Sequence, residues 1–435
     1  AHVVMRLFPG PTLDAEVTAV RMISVVAATL TAAALVRVGR QLDSLSVGVL
    51  AGVMYALAPF VTRFAQEARS YAIVALLATL STYALLRACR RPWLRRRWLL
   101  YGTLLVLGPV FNLISVLLVL VHLVYVALTA PAAVRRAWAL ATAGAMTVLA
   151  PFAAVAFSQR SQVDWLTAPT VQNLRAFFDI QFHSTGVPLA IIVIAAAGLW
   201  FGPRMNLSSL PNRGAFVLGL IWALLPPLLL WVFSQADPLF DWRYLVFSLP
   251  GGVLLMASLA PFARPYGIIV PIIAVIMSGY SMHIMYRDPE LGHSEDIRGA
   301  TAYLQSQART GDAILFVPWY MRILDEMYPE RFTALDDVAV RESGIDSATV
   351  YGVEKPSAEV SAALEGHRRV WLITGLQGMS ETMSPADDEK VELLLGDYSI
   401  AEHRTFDRFQ VFLYIKSATT PALVTPKVTR PGTPF

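Results

Sequence analysis

Cysteine is almost absent from this 435-residue chain, in which Cys89 is the only one. A single cysteine excludes an intrachain disulfide and a cysteine-rich metal site. None of the seven histidines belongs to an HExxH pair or to another zinc-binding spacing, so no metal site is predicted. The chain also lacks the Gly-rich phosphate loop of P-loop nucleotide hydrolases and the GxSxG nucleophile turn, which excludes those two enzyme classes.

Charge is scarce as well, at 15% of the residues, whereas a soluble domain carries about 25%. Residues 1–284 hold 20 arginines, no lysine and 8 acidic residues, while residues 285–435 hold 15 basic and 23 acidic residues. The net charge of +4 is therefore an average over two unlike regions. Because the arginines of the first region lie in short loops between apolar runs, they do not indicate nucleic-acid binding.

Long apolar runs are abundant in the first region, and 56% of all residues are hydrophobic. They predict a polytopic α-helical membrane domain over residues 1–284 with about ten spans. A small α/β domain is predicted over 285–416, where helix and strand patterns alternate, followed by a disordered Pro/Thr-rich tail over 417–435. The predicted spans are 19–36, 46–62, 71–88, 98–111, 113–130, 138–157, 187–202, 215–233, 245–262 and 267–284.

The arginine-rich loops alternate with loops that contain few basic residues, and the positive-inside rule places the arginine-rich set in the cytoplasm. With ten spans, both chain ends then face outward. The sequence therefore predicts a multi-pass plasma-membrane protein with an extracytoplasmic α/β domain.

Two polar segments on the predicted outer side depart from this pattern, FAQEARSY at 64–71 and DPLFDWRYL at 237–245. Ionisable groups at membrane depth are costly and usually face a cavity or a partner, and guanidinium groups suit phosphate. The segments predict an outer cavity for an anionic lipid headgroup. The candidate substrate-binding residues are Gln66, Glu67, Arg69, Tyr71, Arg243 and Tyr244.

Four of these residues have a structural alternative that involves their neighbours or the membrane interface. Glu67 can pair with Arg63 or Arg69 on neighbouring helical positions instead of orienting a ligand. Gln66 can cap a helix rather than bind a sugar hydroxyl. Tyr71 and Tyr244 can anchor the chain at the membrane interface rather than contact phosphate.

The same segments carry a resemblance to a known family. The region from residue 20 to residue 88, with QEAR-x-Y at its centre, resembles the membrane-embedded GT-C glycosyltransferases of actinobacterial type. These are relatives of the protein O-mannosyltransferases and the aminoarabinose transferases. The resemblance covers most of residues 1–320, including EDIRGATAYLQSQARTGDAILF. The matching motif positions are Gln66, Glu67, Ala68, Arg69 and Tyr71 in the first segment, and Pro238, Arg243, Tyr244 and Pro250 in the second.

The resemblance implies a membrane glycosyltransferase that uses a polyprenyl-phosphate sugar donor at the outer leaflet and inverts the anomeric carbon. Basic and tyrosine side chains would bind the carrier phosphate, and the acceptor would be a lipid, a glycan or a protein. Many members of the family use a divalent cation and others do not, so the resemblance leaves this cofactor open.

The chain departs from the family at its beginning, where the first span and its acidic catalytic loop have no counterpart. Asp14 and Glu16 lie too close to the next span to replace that loop. We therefore expect transfer only when the segment encoded upstream of Ala1 is present. The alternatives are a lipid or polysaccharide transporter (flippase), for which the sequence shows no inverted repeat, and a non-catalytic membrane scaffold.

Overall fold

The structure is a computed structural model that divides the chain into two compact units, Ala1–Tyr286 and Arg287–Phe435. Each unit is described by itself below. The described residues are 13–158, 166–182, 213–259, 269–287, 296–375 and 385–417, except 68, 345, 348–350 and 408. The predicted span at 187–202 lies outside them, as does the predicted tail from residue 418 onward.

The described part of the first unit is built from helices. Within the described residues, each of the other predicted spans overlaps one helix or two consecutive helices. The α-helices are α1 Leu13–Leu42, α2 Leu45–Leu57, α3 Pro59–Ala65, α4 Tyr71–Arg90, α5 Arg95–Phe111, α6 Leu118–Thr129, α7 Ala132–Ser158, α8 Val171–Phe182, α9 Arg213–Phe233, α10 Leu249–Leu259 and α11 Ile269–Arg287. Short 3-10 helices at Leu113–Leu117 and Trp242–Ser248 precede α6 and α10.

Five helical segments among the described residues are long and apolar enough to cross a membrane, and α2 with α3 forms a sixth if the bent pair counts as one span. The chain is therefore a multi-pass helical membrane protein. The five segments are Arg21–Leu42, Tyr71–Arg90, Ala132–Ser158, Gly214–Phe233 and Trp242–Leu259.

Helices α1 and α2 pack closely because small residues line their contact. A Cβ atom at Gly48 would collide with the backbone carbonyl of Val36, and one at Gly52 would lie 2.8 Å from the carbonyl oxygen of Ala32. Gly48 and Gly52 form a GxxxG pair, which lets helix backbones approach each other within a membrane. This packing positions α1 beside the segment that follows α3.

A buried polar cluster lies between α4, α5 and α6. The imidazole of His122 is fully buried, and its two nitrogens lie 3.1 Å from the hydroxyl oxygens of Thr82 and Tyr101. The indole of Trp138 on α7 donates a further hydrogen bond of 3.0 Å to the Tyr101 hydroxyl. With these partners, His122 joins helices to each other and is separate from the candidate site below.

The second unit contains a mixed five-stranded sheet with strand order β2-β1-β5-β7-β6. Strands β1, β2 and β5 run parallel, whereas β7 is antiparallel to β5 and β6. The strands are β1 Asp312–Val317, β2 Leu335–Asp337, β3 Val340–Glu342, β4 Val353–Glu354, β5 Arg369–Gly375, β6 Tyr398–Phe406 and β7 Phe409–Lys416. The helices are α12 Ile297–Gln307, α13 Ile323–Met327, α14 Pro329–Phe332, α15 Ser357–Leu364 and α16 Pro385–Asp397.

Strand β1 is buried along its whole length, and β5 is buried at its five central residues. Continuous burial of this kind is typical of central parallel strands that are covered on both faces. Strands β3 and β4 form a separate two-stranded sheet. The core therefore lies around β1 and β5.

Candidate functional site

The first candidate segment follows a broken helix. Helices α2 and α3 meet at Ala58 with a bend of 62°. Pro59 has no amide hydrogen and cannot continue α2, so a carbonyl near the break needs another partner. His283 of α11 supplies one, because its Nε2 lies 2.9 Å from the carbonyl oxygen of Leu57 while its Nδ1 lies 3.1 Å from the Thr62 hydroxyl.

Residues 66–70 form the turn between α3 and α4, and other helices hold this turn in place. Gln66 is the C-terminal cap of α3, with its backbone N–H bonded to the carbonyl of Arg63. The buried hydroxyl of Ser24 on α1 donates a hydrogen bond of 2.8 Å to the backbone carbonyl of Glu67. Ser70 donates one of 3.1 Å to the carbonyl of Phe111 at the end of α5.

The Glu67 side chain is 17% exposed and forms one weak ion pair, 3.5 Å between its Oε1 and Arg63 Nε. Its other oxygen, Oε2, is buried and has no hydrogen-bond partner among the described residues. Burial raises the pKa of the Glu67 carboxyl, and the positive charges of Arg69, Arg63 and Arg243 offset part of that effect. The structural pairing with Arg63 is therefore present, and it leaves half of the carboxylate to accept a further hydrogen bond.

The second candidate segment is held by a short ion pair. Asp241 caps the 3-10 helix Trp242–Ser248 by accepting the backbone N–H of Arg243 at 2.8 Å. The same carboxylate accepts two bonds from the guanidinium, with 3.0 Å from Nε to Oδ1 and 2.6 Å from Nη2 to Oδ2. Because Asp241 is 7% exposed and Arg243 is 28% exposed, the pair fixes the arginine while its guanidinium stays in contact with solvent.

Trp242 joins the two segments. The guanidinium carbon of Arg63 lies 4.7 Å from the centre of its indole ring, and that of Arg243 lies 5.9 Å from it. The rings of Phe60 and Phe64 on α3 pack against the same indole, at centroid distances of 5.7 and 5.8 Å. The indole is therefore a contact shared by Arg63 of α3 and Arg243 of the second segment.

The two candidate tyrosines differ in their surroundings. Tyr71 is buried, packs edge-to-face against Phe64 at 4.9 Å, and interacts electrostatically with the side chain of Arg69. Tyr244 is half-buried, and its backbone carbonyl accepts a hydrogen bond of 2.9 Å from the Asn112 amide. Arg69 is exposed, so its guanidinium can reach a ligand while Tyr71 directs it.

The structure thus gathers five of the six candidate residues, Glu67, Arg69, Tyr71, Arg243 and Tyr244, although they come from segments about 175 positions apart. Gln66 contributes a helix cap through its backbone, which is the structural alternative considered for it. Sequence reasoning missed Ser24, Trp242 and Asp241. Asp241 could have been found, because Asp is a preferred N-cap residue and Asp241 precedes an apolar run.

A small cavity of about 250 Å³ opens beside the second segment. Asp241 and Trp242 form one wall, and Phe177 and Asn173 of α8 form another. Trp231 and Gln235 brace the chain before α8 by donating hydrogen bonds of 2.9 Å to the carbonyls of Thr170 and Pro169. The cavity is large enough for a small polar group, but smaller than pockets that enclose a whole ligand, which begin at about 300 Å³.

No group of three or more His, Cys, Asp or Glu side chains arranged to hold a metal ion occurs in the described part of the chain. The side chains gathered at this site are mostly cationic and aromatic. Cationic groups repel a divalent cation and attract a phosphate, so the arrangement suits an anionic ligand.

No family model and no curated protein matches the chain. Among solved structures, it is similar to the crystal structure of ArnT from Cupriavidus metallidurans in the apo state. The identity is 12%, the TM-score is 0.50, and the match covers 90% of this chain and 83% of that one.

Two structures of the Archaeoglobus fulgidus oligosaccharyltransferase are also similar. The complex with Zn and sulfate has 12% identity and a TM-score of 0.44, with 92% of this chain and 62% of that one covered. The apo form has 12% identity and a TM-score of 0.41, with 96% and 65% covered. These scores are too low to support a shared fold, whereas the match to ArnT supports a fold shared with that protein.

Proposed function

We propose that this chain is a membrane glycosyltransferase, which transfers a sugar from a polyprenyl-phosphate carrier to a lipid, glycan or protein acceptor of the cell envelope. The observation that carries the proposal is the convergence of Arg63, Arg69 and Arg243 on a Glu67 carboxylate whose Oε2 has no partner among the described residues. In a chain with the GT-C fold, this arrangement offers cations for a phosphate and an acceptor atom for a hydroxyl.

The reaction in this proposal is a displacement at the anomeric carbon. The acceptor hydroxyl oxygen attacks that carbon from the face opposite the carrier, so that the configuration inverts. The bond between the anomeric carbon and the phosphate oxygen breaks, and the phosphate leaves with the electron pair. It also takes up the hydroxyl proton, so the reaction is balanced without a further reactant. Negative charge grows on the phosphate, where fixed cations stabilise it most effectively.

Each candidate residue has a role in this reaction. Arg69 and Arg243 bind the carrier phosphate together with the hydroxyls of Tyr71 and Tyr244. Asp241 and Trp242 are positioning residues, because they hold Arg243 through its ion pair and through ring contact. Glu67 accepts a hydrogen bond from a sugar or acceptor hydroxyl through Oε2. Residues 1–284 form the transferase domain, and the site and residues 285–416 lie on the outer side of the plasma membrane.

A lipid transporter is the second candidate, because α2 and α3 form a broken helix. Discontinuous helices in transporters place exposed helix ends beside a substrate near the middle of the membrane. Here His283 already bonds to a carbonyl at the break, so that carbonyl is not left for a substrate. One broken pair occurs among the described helices. A transporter would bind the same phosphate-bearing lipid without breaking its glycosidic bond.

The deciding experiment measures transfer of radiolabelled sugar in membranes that contain the protein translated from its own start codon. The donors are polyprenyl phosphates carrying mannose, glucose or arabinose. We expect transfer from one of them, and its loss in Arg243→Ala with the protein still folded. Arg175→Ala is the matched control, since Arg175 is an exposed arginine on α8 paired with Asp179. Donor movement across the membrane without transfer supports the transporter, and activity retained in Arg243→Ala contradicts the role of Arg243.

A further inference from the structure

Three aromatic side chains cluster at one edge of the sheet in the second unit. The ring of Trp319 lies 5.1 Å from that of Tyr351 and 6.2 Å from that of Tyr320, and the third distance is 6.4 Å. Trp319 is 39% exposed and Tyr320 is 42% exposed. In contrast, Phe316 and Trp371 of the same unit are fully buried. The cluster is therefore an exposed surface and does not belong to the core.

The cluster lies at the carboxyl end of a central parallel strand, where open α/β sheets commonly bind ligands. Trp319 and Tyr320 follow the carboxyl end of β1, which pairs in parallel with β5. After β1 the chain continues to β2 on one side of the sheet, whereas after β5 it continues through α16 to β6 at the other edge. Neighbouring parallel strands whose connections diverge leave a crevice at their carboxyl ends, where open α/β sheets bind ligands.

A buried ionic network fixes the turn that carries the rings. Arg322, at the end of the turn, is 3% exposed and forms ion pairs with Asp337 and with Glu354, the latter at 2.8 Å. Glu354 is shared with the buried Lys390 of α16 at 2.6 Å, and Lys390 also pairs with Asp387 at 2.9 Å. Removing charges from water costs free energy, and separating a buried pair leaves one charge uncompensated. Such a network therefore favours the one backbone geometry in which its pairs are formed.

The network also binds the backbone of two residues that carry the rings. The Asp387 carboxylate accepts the backbone N–H of Trp319 at 3.2 Å, and Arg322 Nη1 donates to the backbone carbonyl of Tyr351 at 3.4 Å. Two of the three ring-bearing residues are therefore held by the same set of buried charges. A backbone held in this way needs little rearrangement when a ligand stacks on the rings.

The chemistry of the surface selects the type of ligand. Aromatic faces carry negative charge density that attracts the partly positive C–H groups on the flat face of a sugar ring. Residues 285–435 hold 23 acidic against 15 basic residues, which disfavours a phosphate backbone or an anionic lipid surface as the partner. A neutral sugar is not repelled, and its hydroxyls can donate to the phenol oxygens at the rim.

We infer that Trp319, Tyr320 and Tyr351 form a binding site for a neutral sugar chain on the α/β unit. The site is distinct from the Glu67–Arg243 cluster, and binding there requires no transfer reaction. The three rings meet at large interplanar angles, 75° and 87° for the two pairs that include Trp319. Their faces therefore point in different directions, which suits successive units of an oligosaccharide better than a single flat ligand.

The test measures sugar binding by the whole protein in lipid nanodiscs, using saturation-transfer NMR and titration with mannohexaose, maltohexaose and arabinohexaose. We expect at least one of them to bind, with saturation transfer to its ring protons. Trp319→Ala and Tyr320→Ala should each weaken that binding by roughly tenfold, because each removes an exposed stacking face. Trp319→Phe, which keeps a ring, should retain most of the affinity.

Trp93→Ala is the matched control, because Trp93 is a 71% exposed tryptophan in the first unit and should leave sugar binding unchanged. Unchanged binding in both Trp319→Ala and Tyr320→Ala overturns the inference, and so does the absence of binding to all three sugars. Because no donor lipid is present, a failed transfer reaction and a failed binding site give separate results.

Discussion

The hydroxyl of Ser24 donates a hydrogen bond of 2.8 Å to the backbone carbonyl oxygen of Glu67, 43 residues further along the chain. The same hydroxyl lies 3.4 Å from the carbonyl oxygen of Arg69. A side chain of α1 thus holds the turn that carries the carboxylate and one of the arginines of the candidate site. The contact makes α1 part of the site, although α1 contributes none of the proposed ligand-binding groups.

Ser24→Ala should loosen this turn. The substitution leaves the partly buried carbonyl of Glu67 without its donor, and we expect the free energy of unfolding to fall by about 1 kcal/mol. Transfer should fall further than stability accounts for, because Glu67 and Arg69 lose their shared anchor. The measurements are thermal unfolding in detergent and the initial rate of sugar transfer.

Thr29→Ala is the matched control on the same helix, since the exposed Thr29 hydroxyl bonds only to the carbonyl of Val25 within α1. We expect wild-type transfer from it. Equal losses in the two variants would show that α1 acts by general packing and not through the turn.

Glu67→Gln should lower the transfer rate by about tenfold or more, because an amide accepts a weaker hydrogen bond than a carboxylate does. The protein should remain folded, since glutamine fills the same space. A rate within twofold of wild type at neutral pH would remove Glu67 from the site. Asp43→Asn is a useful control, because Asp43 is another half-buried carboxylate of the first unit and bonds to Ser44.

The same variant has a stability prediction with a defined sign. Burial raises the pKa of Glu67 above its ordinary value of 4.5, so the folded state holds the proton more tightly than the unfolded state. The stability of the wild type relative to Glu67→Gln should therefore fall as pH rises from 4.5 through the raised value. The measurement is the unfolding temperature of both proteins across that range. A wild type that gains stability relative to Glu67→Gln as pH rises contradicts the burial argument.

Arg322→Met should destabilise the second unit by about 3–5 kcal/mol, because it leaves Asp337 and part of Glu354 as uncompensated buried charges. Hydrogen exchange of the amides of β1 and β5 reports the loss within this unit. Arg341→Met is the control, as Arg341 is an exposed arginine on β3. Similar exchange rates in the two variants would mean that the network adds no stability.

Asp325 should lower the stability of the second unit as pH rises through mildly acidic values. Burial, together with the neighbouring charges of Asp337 and Glu326, raises the pKa of Asp325 from 3.8 to about 6. Ionisation of Asp325 therefore opposes folding. The stability of the wild type relative to Asp325→Asn should fall as pH rises from 3.8 to about 6. The effect is smaller than the full pKa shift implies, because Asp325 is only partly buried and solvent screens its charge. Glu392→Gln, at an exposed position of α16, is the matched control.

Much of the architecture follows from local pattern in the sequence. Apolar runs of membrane length predict the helices, and even the short segment 113–130 coincides with helical residues. In the second region, the apolar stretches GDAILFV and RVWLITG coincide with β1 and β5. The break at Ala58 also has a local cause, because Pro59 stands inside an apolar run. The hydropathy of 46–62 nevertheless predicts one continuous span.

The candidate site was predictable to the extent that its residues carry charge. Glu67, Arg69 and Arg243 stand out because ionisable groups are rare in this region, and their joint position follows from the family resemblance. Ser24 could not be found, because a serine inside an apolar helix looks like any other small packing residue. Trp319 and Tyr351 also gave no signal, since 32 positions separate two rings that touch.

The sequence by itself determined that the chain is a membrane protein with an acidic α/β region, because hydropathy and charge are properties of each segment alone. Tertiary structure decided which groups meet, because contact between α1, the turn after α3 and the segment at Asp241 depends on how the helices pack. It also decided which groups keep a hydrogen-bond acceptor without a donor. Glu67 pairs with Arg63 through one oxygen only, because packing brings no donor among the described residues within reach of the other.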